Sequence, residues 1–213
     1  MSRIDLNADI GEGFDESDLL LLDVITSANV ACGFHAGGEG LARPLCAAAN
    51  ARGVSIGAHI SYRDRDGFGR RDLDVAPEVL EAEAVEQIDA LSSWCDGRIG
   101  YVKPHGALYH RMQREPACGN AMVRAARGLP ILGLDVAEGF ADRGYAADGT
   151  LVPRGEAGAL LDPDAAVAQA LRLAHEGRVR SICLHGDSPG APELGRRVRE
   201  ALEADGVELR AFA

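Results

Sequence analysis

Short apolar runs alternate with stretches of helical pattern along almost the whole chain. The predicted strands are 3–8, 27–32, 54–58, 99–102, 130–134, 181–184 and 207–211, and the predicted helices are 15–25, 39–52, 77–94, 115–127, 163–175 and 192–204. The strand runs are continuously apolar, which is typical of parallel strands covered on both faces. This order predicts an α/β protein, either a (β/α) barrel or an open doubly wound sheet.

Length, charge and cysteine usage narrow the class further. A chain of 213 residues is expected to form a single domain, 1–213. Its net charge of −11 argues against binding to nucleic acid or to an anionic membrane surface. No apolar run approaches the roughly 20 residues of a membrane span, and residues 1–13 lack the pattern of a signal peptide. The five cysteines have no short paired spacing, so we expect reduced thiols in a cytoplasmic protein.

Two common nucleotide-binding signatures are missing from the sequence. No Gly-x-Gly-x-x-Gly follows the first predicted strand, and the lysine at position 103 precedes a proline instead of closing a phosphate-binding loop. We therefore expect this chain to have no nucleotide-binding loop of its own.

The histidines give the strongest positional signal. Four of the six follow directly on apolar strand-like runs, namely His35, His59, His105 and His185. The carboxyl ends of all strands of a parallel barrel open on one rim, so we expect these four to converge. Acidic and amide side chains join them at the end of the first strand and after the last histidine, namely Asp5, Asn7, Asp9, Glu12 and Asp187.

The sharpest local motif surrounds the only lysine of the chain, in Lys103-Pro104-His105-Gly106. Proline ends a strand and glycine permits an unusual backbone angle, so the motif places a cation and an imidazole at a strand end. One interpretation is a strand terminator with a solvated lysine. The other is stabilisation of an oxyanion or a phosphate by Lys103, with His105 as an acid or a base.

Other charged groups allow two interpretations each. Arg70 and Arg71 either clamp a substrate carboxylate or pair with the aspartates of their own surface loop. Asp9 and Glu12 are either a base and its neighbour or metal ligands, and Glu12 also suits the start of a helix. Cys32 is interpreted as a packing residue rather than a nucleophile.

A metal site is chemically allowed but not assigned by this reasoning. His35, His59 and Asp9 offer the donor types of a catalytic site with an open position. The ligands are far apart in the sequence and no His-x-x-x-His pair is present. The sequence therefore leaves the metal content open.

Eight blocks of sequence together resemble the LamB/YcsF, or lactam-utilisation, family. They are DLNADIGE at 5–12, SANVACGFHAG at 27–37, GAH at 57–59, GFGRR at 67–71, KPHGALY at 103–109, FADR at 140–143, LVPR at 151–154 and HGD at 185–187. The resemblance implies a distorted seven-stranded (β/α) barrel of the glycoside hydrolase/deacetylase type. It also implies a hydrolase that opens the lactam ring of 5-oxoproline to L-glutamate with ATP, together with 5-oxoprolinase subunits B and C.

The positions of these residues and the resemblance together give a set of candidate site residues. The candidate catalytic residues are Asp9, His35, His59, Lys103, His105, His185 and Asp187, and the candidate substrate-binding residues are Asn7, Glu12, Asn29, Arg70, Arg71, Tyr109, Asp142 and Arg143. In this hypothesis Asp9 positions water with His59 or His35, and Lys103 neutralises an oxyanion or a phosphate. His105 or His185 protonates the ring nitrogen, and Arg70 or Arg143 holds the substrate carboxylate. ATP and Mg²⁺ are expected at the level of the complex, and a homo-oligomer is left open.

Three departures from the family pattern qualify this expectation. Gly38 and Glu39 stand where the family usually has Asp-Pro, and Ile60 stands where it has a proline. Between positions 129 and 140 the chain is short by about one strand–helix unit. Two alternatives therefore remain: a metal-dependent carbohydrate or amide deacetylase on a similar barrel, and a catalytically degenerate binding partner of the B and C subunits.

Overall fold

A computed structural model describes residues 3–13, 15–186 and 190–213 of the protein. Within these residues the strands are β1 (Arg3–Ile10), β2 (Ser27–Ala31), β3 (Ser55–Ile60), β4 (Tyr101–Pro104), β5 (Glu138–Phe140), β6 (Ser181–Leu184) and β7 (Glu208–Leu209). The helices are α1 (Asp15–Leu21), α2 (Glu39–Arg52), α3 (Pro77–Trp94), α4 (Gly106–Arg114), α5 (Pro116–Ala126), α6 (Pro163–Glu176) and α7 (Ala191–Ala204).

The strands form one parallel sheet that curves into a half-barrel. Their order is β4-β3-β2-β1-β6-β5, and β7 pairs with the first two residues of β1. The helices pack on one another around it, with α2 against α3, α3 against α5, and α6 against α7. The prediction of a (β/α) barrel is therefore confirmed. No helix of the described ranges has the length and hydropathy needed to cross a membrane.

The prediction is wrong in one part of the sheet. The run 130–134 is not a strand but makes two isolated bridges, from Ile131 to Val102 of β4 and from Leu132 to Val136. Gly133 has a φ of 83° and its N–H donates to the carbonyl of Val136, so the chain turns where a strand would continue. The next strand of the sheet is instead β5. The structure also has a helix that was not predicted, α4, just before the predicted helix that corresponds to α5. The predicted hairpin turn before Leu151 is confirmed by its bridge to Tyr145.

The inner face of the sheet is polar, which corrects the expectation of strands that are apolar on both faces. In β1 the outward residues Ile4 and Leu6 join the hydrophobic core under the helices. The inward residues are buried polar groups, and neighbouring strands add more at matching register positions: Asp5, Asn7, Asp9, Ser27, Asn29, His59, Lys103 and Ser181. Buried polar groups persist only when they are hydrogen-bonded, so this face is a network of such bonds.

The cysteines also differ from expectation. Cys46 of α2 and Cys95, just after α3, are paired as a disulfide with their Cα atoms 5.4 Å apart. These residues are 49 positions apart, and only the packing of α2 against α3 brings them together. Cys32, Cys118 and Cys183 are free thiols, and all three are buried.

Candidate active site

A cavity of about 820 Å³ opens at the carboxyl ends of the strands. Its wall includes the ends of β1, β3, β4, β5 and β6 and the segment 149–154. The functional side chains in this wall include Asp9, His59, Lys103, His105, Glu138 and His185. Of the four histidines that the strand-end rule predicted to converge, His59, His105 and His185 line this cavity, and His35 does not line it but stacks on His105.

Lys103 lies in the floor of this cavity inside a shell of acceptor atoms. Its Nζ is 3.0 Å from Asp9 Oδ1, 3.0 Å from Glu138 Oε1, 3.0 Å from Cys183 Sγ and 3.2 Å from Asn7 Oδ1. Burial lowers the pKa of Lys103, but Asp9, Cys183 and Glu138 together outweigh burial, and the pKa lies well above its usual value. The ammonium is therefore charged at neutral pH. We call these five residues the lysine shell.

Asp9 joins the lysine shell to the neighbouring histidines. Its Oδ1 also accepts a hydrogen bond from Asn29 at 2.8 Å, and its Oδ2 lies 3.5 Å from His59 Nε2. Burial raises the pKa of Asp9, but His59 and Lys103 outweigh it and hold the pKa well below the usual value. Asp9 is therefore an ionised acceptor at neutral pH.

Beneath the lysine shell the polar network continues toward the amino ends of the strands. Asn29 donates to Asn7 Oδ1 at 2.7 Å and accepts from the Tyr101 hydroxyl at 2.7 Å. Asp5 accepts from the hydroxyls of Ser27 and Ser181, and burial raises its pKa. Asn7, Asn29 and Asp5 therefore position Asp9 and Lys103, and none of the three lines the cavity.

Three histidines and one glutamate form a second cluster beside the lysine shell, which we call the histidine cluster. Glu12 Oε1 is 2.9 Å from His35 Nε2 and 3.7 Å from both His59 Nε2 and His105 Nδ1. His59 Nε2 and His105 Nδ1 are 2.9 Å apart, and the rings of His35 and His105 stack at 4.0 Å. One atom from each residue lies within 4.8 Å of the others, an arrangement that could hold a metal ion. Burial lowers the pKa of His35 and of His105 well below the usual value.

The loop before α3 and the start of α4 hold this cluster in place. His105 Nε2–H donates to the carbonyl of Phe68 at 2.9 Å, and Phe68 has a φ of 52°, a left-handed conformation that is strained for a bulky residue. Gly106 has a φ of 55°, and a Cβ there would lie 2.5 Å from the carbonyl oxygen of Gly69. The glycine predicted to permit an unusual angle is thus needed for both its φ and its close contact.

His185 forms a pair with Asp142 on the other side of the lysine shell. Its Nδ1–H donates to Asp142 Oδ1 at 2.9 Å, and its backbone N–H donates to Asp142 Oδ2 at 3.0 Å. Burial raises the pKa of Asp142, but His185 outweighs it and the pKa is lowered. Because Asp142 binds Nδ1, the other ring nitrogen, Nε2, is the one that can act on a substrate. Asp187, predicted beside His185, lies outside the described residues.

Of the three arginines predicted to bind substrate, two line the main cavity and one does not. Arg70 lines the cavity and its guanidinium lies 4.7 Å from the ring of Phe68. Arg143 also lines it, but its guanidinium donates to the carbonyls of Val152 and Ala159. Arg71 lies apart from this hollow, pairs with Asp64 and borders a separate cavity of about 330 Å³. The surface-loop interpretation therefore describes Arg71, because its own loop provides its carboxylate. Tyr109 lines the main cavity, and burial raises its pKa.

Sequence reasoning missed Glu138, the second carboxylate on Lys103. Its Oε2 is buried and accepts no hydrogen bond from the described residues. Because the strand was predicted at 130–134, Glu138 was not expected to lie in a strand. In the structure it is the first residue of β5 and pairs with Ser181 of β6. Sequence reasoning also missed Ser61, whose Oγ lies 2.9 Å from His35 Nδ1, and the carbonyl of Phe68. A backbone acceptor has no side-chain signature.

A sequence model of the LamB/YcsF family matches residues 4–135 and 130–213. The chain belongs to this family. It is 50% identical to the 5-oxoprolinase A subunit of Streptomyces avermitilis, covering 99% of this chain and 100% of that protein. It is 45% identical to the protein of the same name from Nocardia farcinica, covering 98% and 99%.

Two solved structures place this member of the LamB/YcsF family among known folds. The lactam utilization protein from Thermus thermophilus superposes with a TM-score of 0.85 at 37% identity, covering 99% of this chain and 100% of that one. A family 4 carbohydrate esterase from Streptomyces lividans has a TM-score of 0.64 at 15% identity, covering 100% and 93%. The second similarity shows a shared fold alone.

The comparisons also bear on the segment predicted to be short. The alignment with the Streptomyces avermitilis protein runs over 249 positions, more than the 213 residues of this chain. The two family matches overlap at 130–135, where the structure has isolated bridges in place of a strand. The difference is of the order of one βαβ unit, which is about 30 residues.

Proposed function

We propose that this chain takes part in the ATP-dependent opening of 5-oxoproline to L-glutamate, with 5-oxoprolinase subunits B and C as partners. The observation that carries the proposal is the charged Lys103, held by Asp9 and Glu138 at the floor of a cavity that also contains the oriented His185. The relatives named as the A subunit of 5-oxoprolinase, similar over almost the full chain, support the same reaction.

The chemistry explains why such a site is needed. A five-membered lactam is an unreactive amide, and attack of water on its carbonyl carbon places negative charge on the carbonyl oxygen. ATP, used with Mg²⁺ by the complex, would activate that oxygen by phosphorylation. A fixed cation stabilises negative charge on the carbonyl oxygen, or on the phosphate attached to it, without reorganisation, and we assign this role to Lys103.

Two proton transfers open the ring to an acyl phosphate, which a second water then hydrolyses to L-glutamate and inorganic phosphate. The attacking water loses a proton, and we assign its positioning to Asp9, which lines the cavity with its Oδ2 3.5 Å from His59. The ring nitrogen must gain a proton as the carbon–nitrogen bond breaks. We assign this donation to His185 Nε2, because Asp142 fixes its Nδ1–H as a positioned catalytic imidazole requires.

The substrate carboxylate needs a cation at the cavity wall. We assign this role to Arg70, which lines the cavity beside the ring of Phe68. Glu138 lines the same cavity, and its Oε2 is an acceptor for the lactam N–H. A ligand with one carboxylate and one amide then matches one arginine and one buried carboxylate.

Reconstitution of this chain with the proposed partner subunits B and C tests the proposal. We expect glutamate release from 5-oxoproline only with ATP, and a loss of about 10²–10⁴-fold in His185→Asn, which removes a general acid. His175→Asn is the matched control, since His175 is exposed on α6 and pairs with Asp205. Unchanged turnover in His185→Asn would overturn its role.

The second candidate is a binding partner without its own chemistry. The reduced segment at 130–136 favours it, because isolated bridges stand there in place of a strand of the barrel wall. Recovery of a stable complex without any ATP-dependent glutamate release would select this candidate. Release of acetate from N-acetylated sugars by the chain alone would instead select the deacetylase, for which the present support is the shared fold.

A further inference from the structure

The outward-facing nitrogens of the histidine cluster are fixed by acceptors. His59 Nδ1 lies 3.2 Å from the carbonyl of Lys103, and His105 Nε2 lies 2.9 Å from the carbonyl of Phe68. A carbonyl oxygen can only accept, so each of these nitrogens must carry the hydrogen. In the neutral rings, His59 Nε2 and His105 Nδ1 therefore present lone pairs to the centre of the cluster.

Ser61 fixes the third ring in the same sense. His35 Nδ1 is 2.9 Å from Ser61 Oγ, and that hydroxyl donates its single hydrogen to the carbonyl of Tyr62 at 2.9 Å. The Ser61 oxygen must then accept from His35 Nδ1–H. His35 Nε2 is left with a lone pair that points to Glu12 Oε1 at 2.9 Å.

Four acceptor atoms therefore converge on one point from β1, β2, β3 and β4 or the residues that follow them. The distances from Glu12 Oε1 to the three nitrogens are 2.9, 3.7 and 3.7 Å, and His59 Nε2 to His105 Nδ1 is 2.9 Å. Converging lone pairs repel one another unless a cation lies between them. A tetrahedral ion with ligands at about 2.0–2.1 Å separates its ligands by roughly 3.3 Å, within the range of these distances.

We infer that Glu12, His35, His59 and His105 form a binding site for one divalent transition-metal ion of the Zn²⁺ class. Three imidazoles and one carboxylate suit Zn²⁺ or Co²⁺, whereas Mg²⁺ and Ca²⁺ prefer shells of oxygen. Each imidazole donates its outer N–H to an oxygen, as metal-binding histidines usually do. The strained backbone of Phe68, which presents its carbonyl to His105, fits a site whose geometry is imposed by its surroundings.

The site faces the cavity through His59 and His105. An ion there would polarise an oxygen bound at the cavity wall. The inference does not depend on the lactam reaction, since it rests on the tautomers and positions of four side chains. Metal binding without lactam turnover would support this inference and contradict the proposed function. Lactam turnover without metal binding would contradict this inference and support the proposed function.

Metal titration of the tag-free chain, after treatment with a chelator, tests the inference. We expect one Zn²⁺ or Co²⁺ per chain by calorimetry, the visible absorption of tetrahedral Co²⁺, and a rise in the unfolding temperature with the ion. Glu12→Gln and His105→Gln should each weaken binding by more than about a hundredfold, beyond the usual loss for a second-shell change.

His175→Gln is the control, because it removes an exposed imidazole far along the chain on α6. It should bind the ion as the wild type does. Circular dichroism shows whether each variant is folded, and the comparison uses folded variants alone. A wild-type chain that binds no ion, or one whose binding survives in the Glu12→Gln/His105→Gln double variant, would overturn the assignment.

Discussion

The lysine shell and the histidine cluster lie side by side at the rim of the same barrel. They differ in how the buried acceptor atoms of each group are compensated by positive charge. In the lysine shell, Lys103 Nζ lies 3.0 Å from Asp9 Oδ1, Glu138 Oε1 and Cys183 Sγ. The histidine cluster brings together four acceptors at comparable distances without a lysine or arginine among its members. One shell therefore carries its own cation, and for the other we infer a bound metal ion.

This difference decides between two candidate metal sites. Asp9, Cys183 and His185 also place one ligand atom each within 4.8 Å of one another. The Lys103 ammonium is 3.0 Å from Asp9 Oδ1 and from Cys183 Sγ, so a divalent ion in this group would face a positive charge at short range. Ligand types and distances alone leave both groups open, whereas the position of the one lysine favours the histidine cluster.

The largest expected effect comes from emptying the lysine shell of its cation. Lys103→Met leaves Asp9 and Glu138 as buried carboxylates without their partner. We expect the free energy of unfolding to fall by about 3–5 kcal/mol, the cost of breaking a buried ion pair. Urea denaturation measures this loss, and Lys103→Met/Glu138→Gln should recover part of it because one unpaired charge is gone.

Arg172→Met is the matched control for this prediction. It removes a cation from an exposed pair with Glu176, which contributes about 0–1 kcal/mol. Equal unfolding free energies for Lys103→Met and Arg172→Met would show that the lysine shell is solvated, contrary to the account.

The second effect tests how the histidine cluster fixes its tautomers. Ser61→Ala removes the acceptor of His35 Nδ1–H while leaving all four inferred ligands in place. We expect Zn²⁺ affinity to fall by about 10–100-fold, as for other losses of an outer partner. Ser93→Ala, on the exposed face of α3, is the control and should leave the affinity unchanged. An unchanged affinity in Ser61→Ala would contradict the tautomer argument.

Sequence reasoning predicted the convergence of these groups but not their division into two shells. The strand-end rule brought His59, Lys103 and Asp9 together because all parallel strands open on one rim. It could not see that backbone carbonyls would orient the imidazoles, since any residue supplies a carbonyl. Glu138 was missed for a different reason, because the apolar run at 130–134 imitates a strand that Gly133 interrupts.

A third prediction concerns the His185–Asp142 pair, which borders the lysine shell. The pKa of Asp142 is lowered in the fold, so its ionised form contributes stability that is complete above the unfolded pKa of 3.8 and is lost as pH falls through the lower folded value. Asp142→Asn should therefore lower the unfolding free energy at pH 6 by more than at pH 3.5. Denaturation at both pH values measures this, and a constant difference would contradict the pairing.

The smallest expected effect is on the metal affinity of Cys183→Ala. Cys183 belongs to the alternative group of ligands and contacts Lys103, not the histidine cluster. We expect its Zn²⁺ affinity to match that of the wild type. A clear loss of affinity in the calorimetric titration would move the ion to the lysine shell and reverse the comparison.

Anomalous X-ray diffraction at the zinc edge, from crystals grown with Zn²⁺, tests the contrast between the two shells most directly. The account predicts one strong peak between Glu12 and the nitrogens of His35, His59 and His105, with Lys103 still bonded to Asp9 and Glu138. A peak among Asp9, Cys183 and His185, or none at the barrel rim, would contradict it.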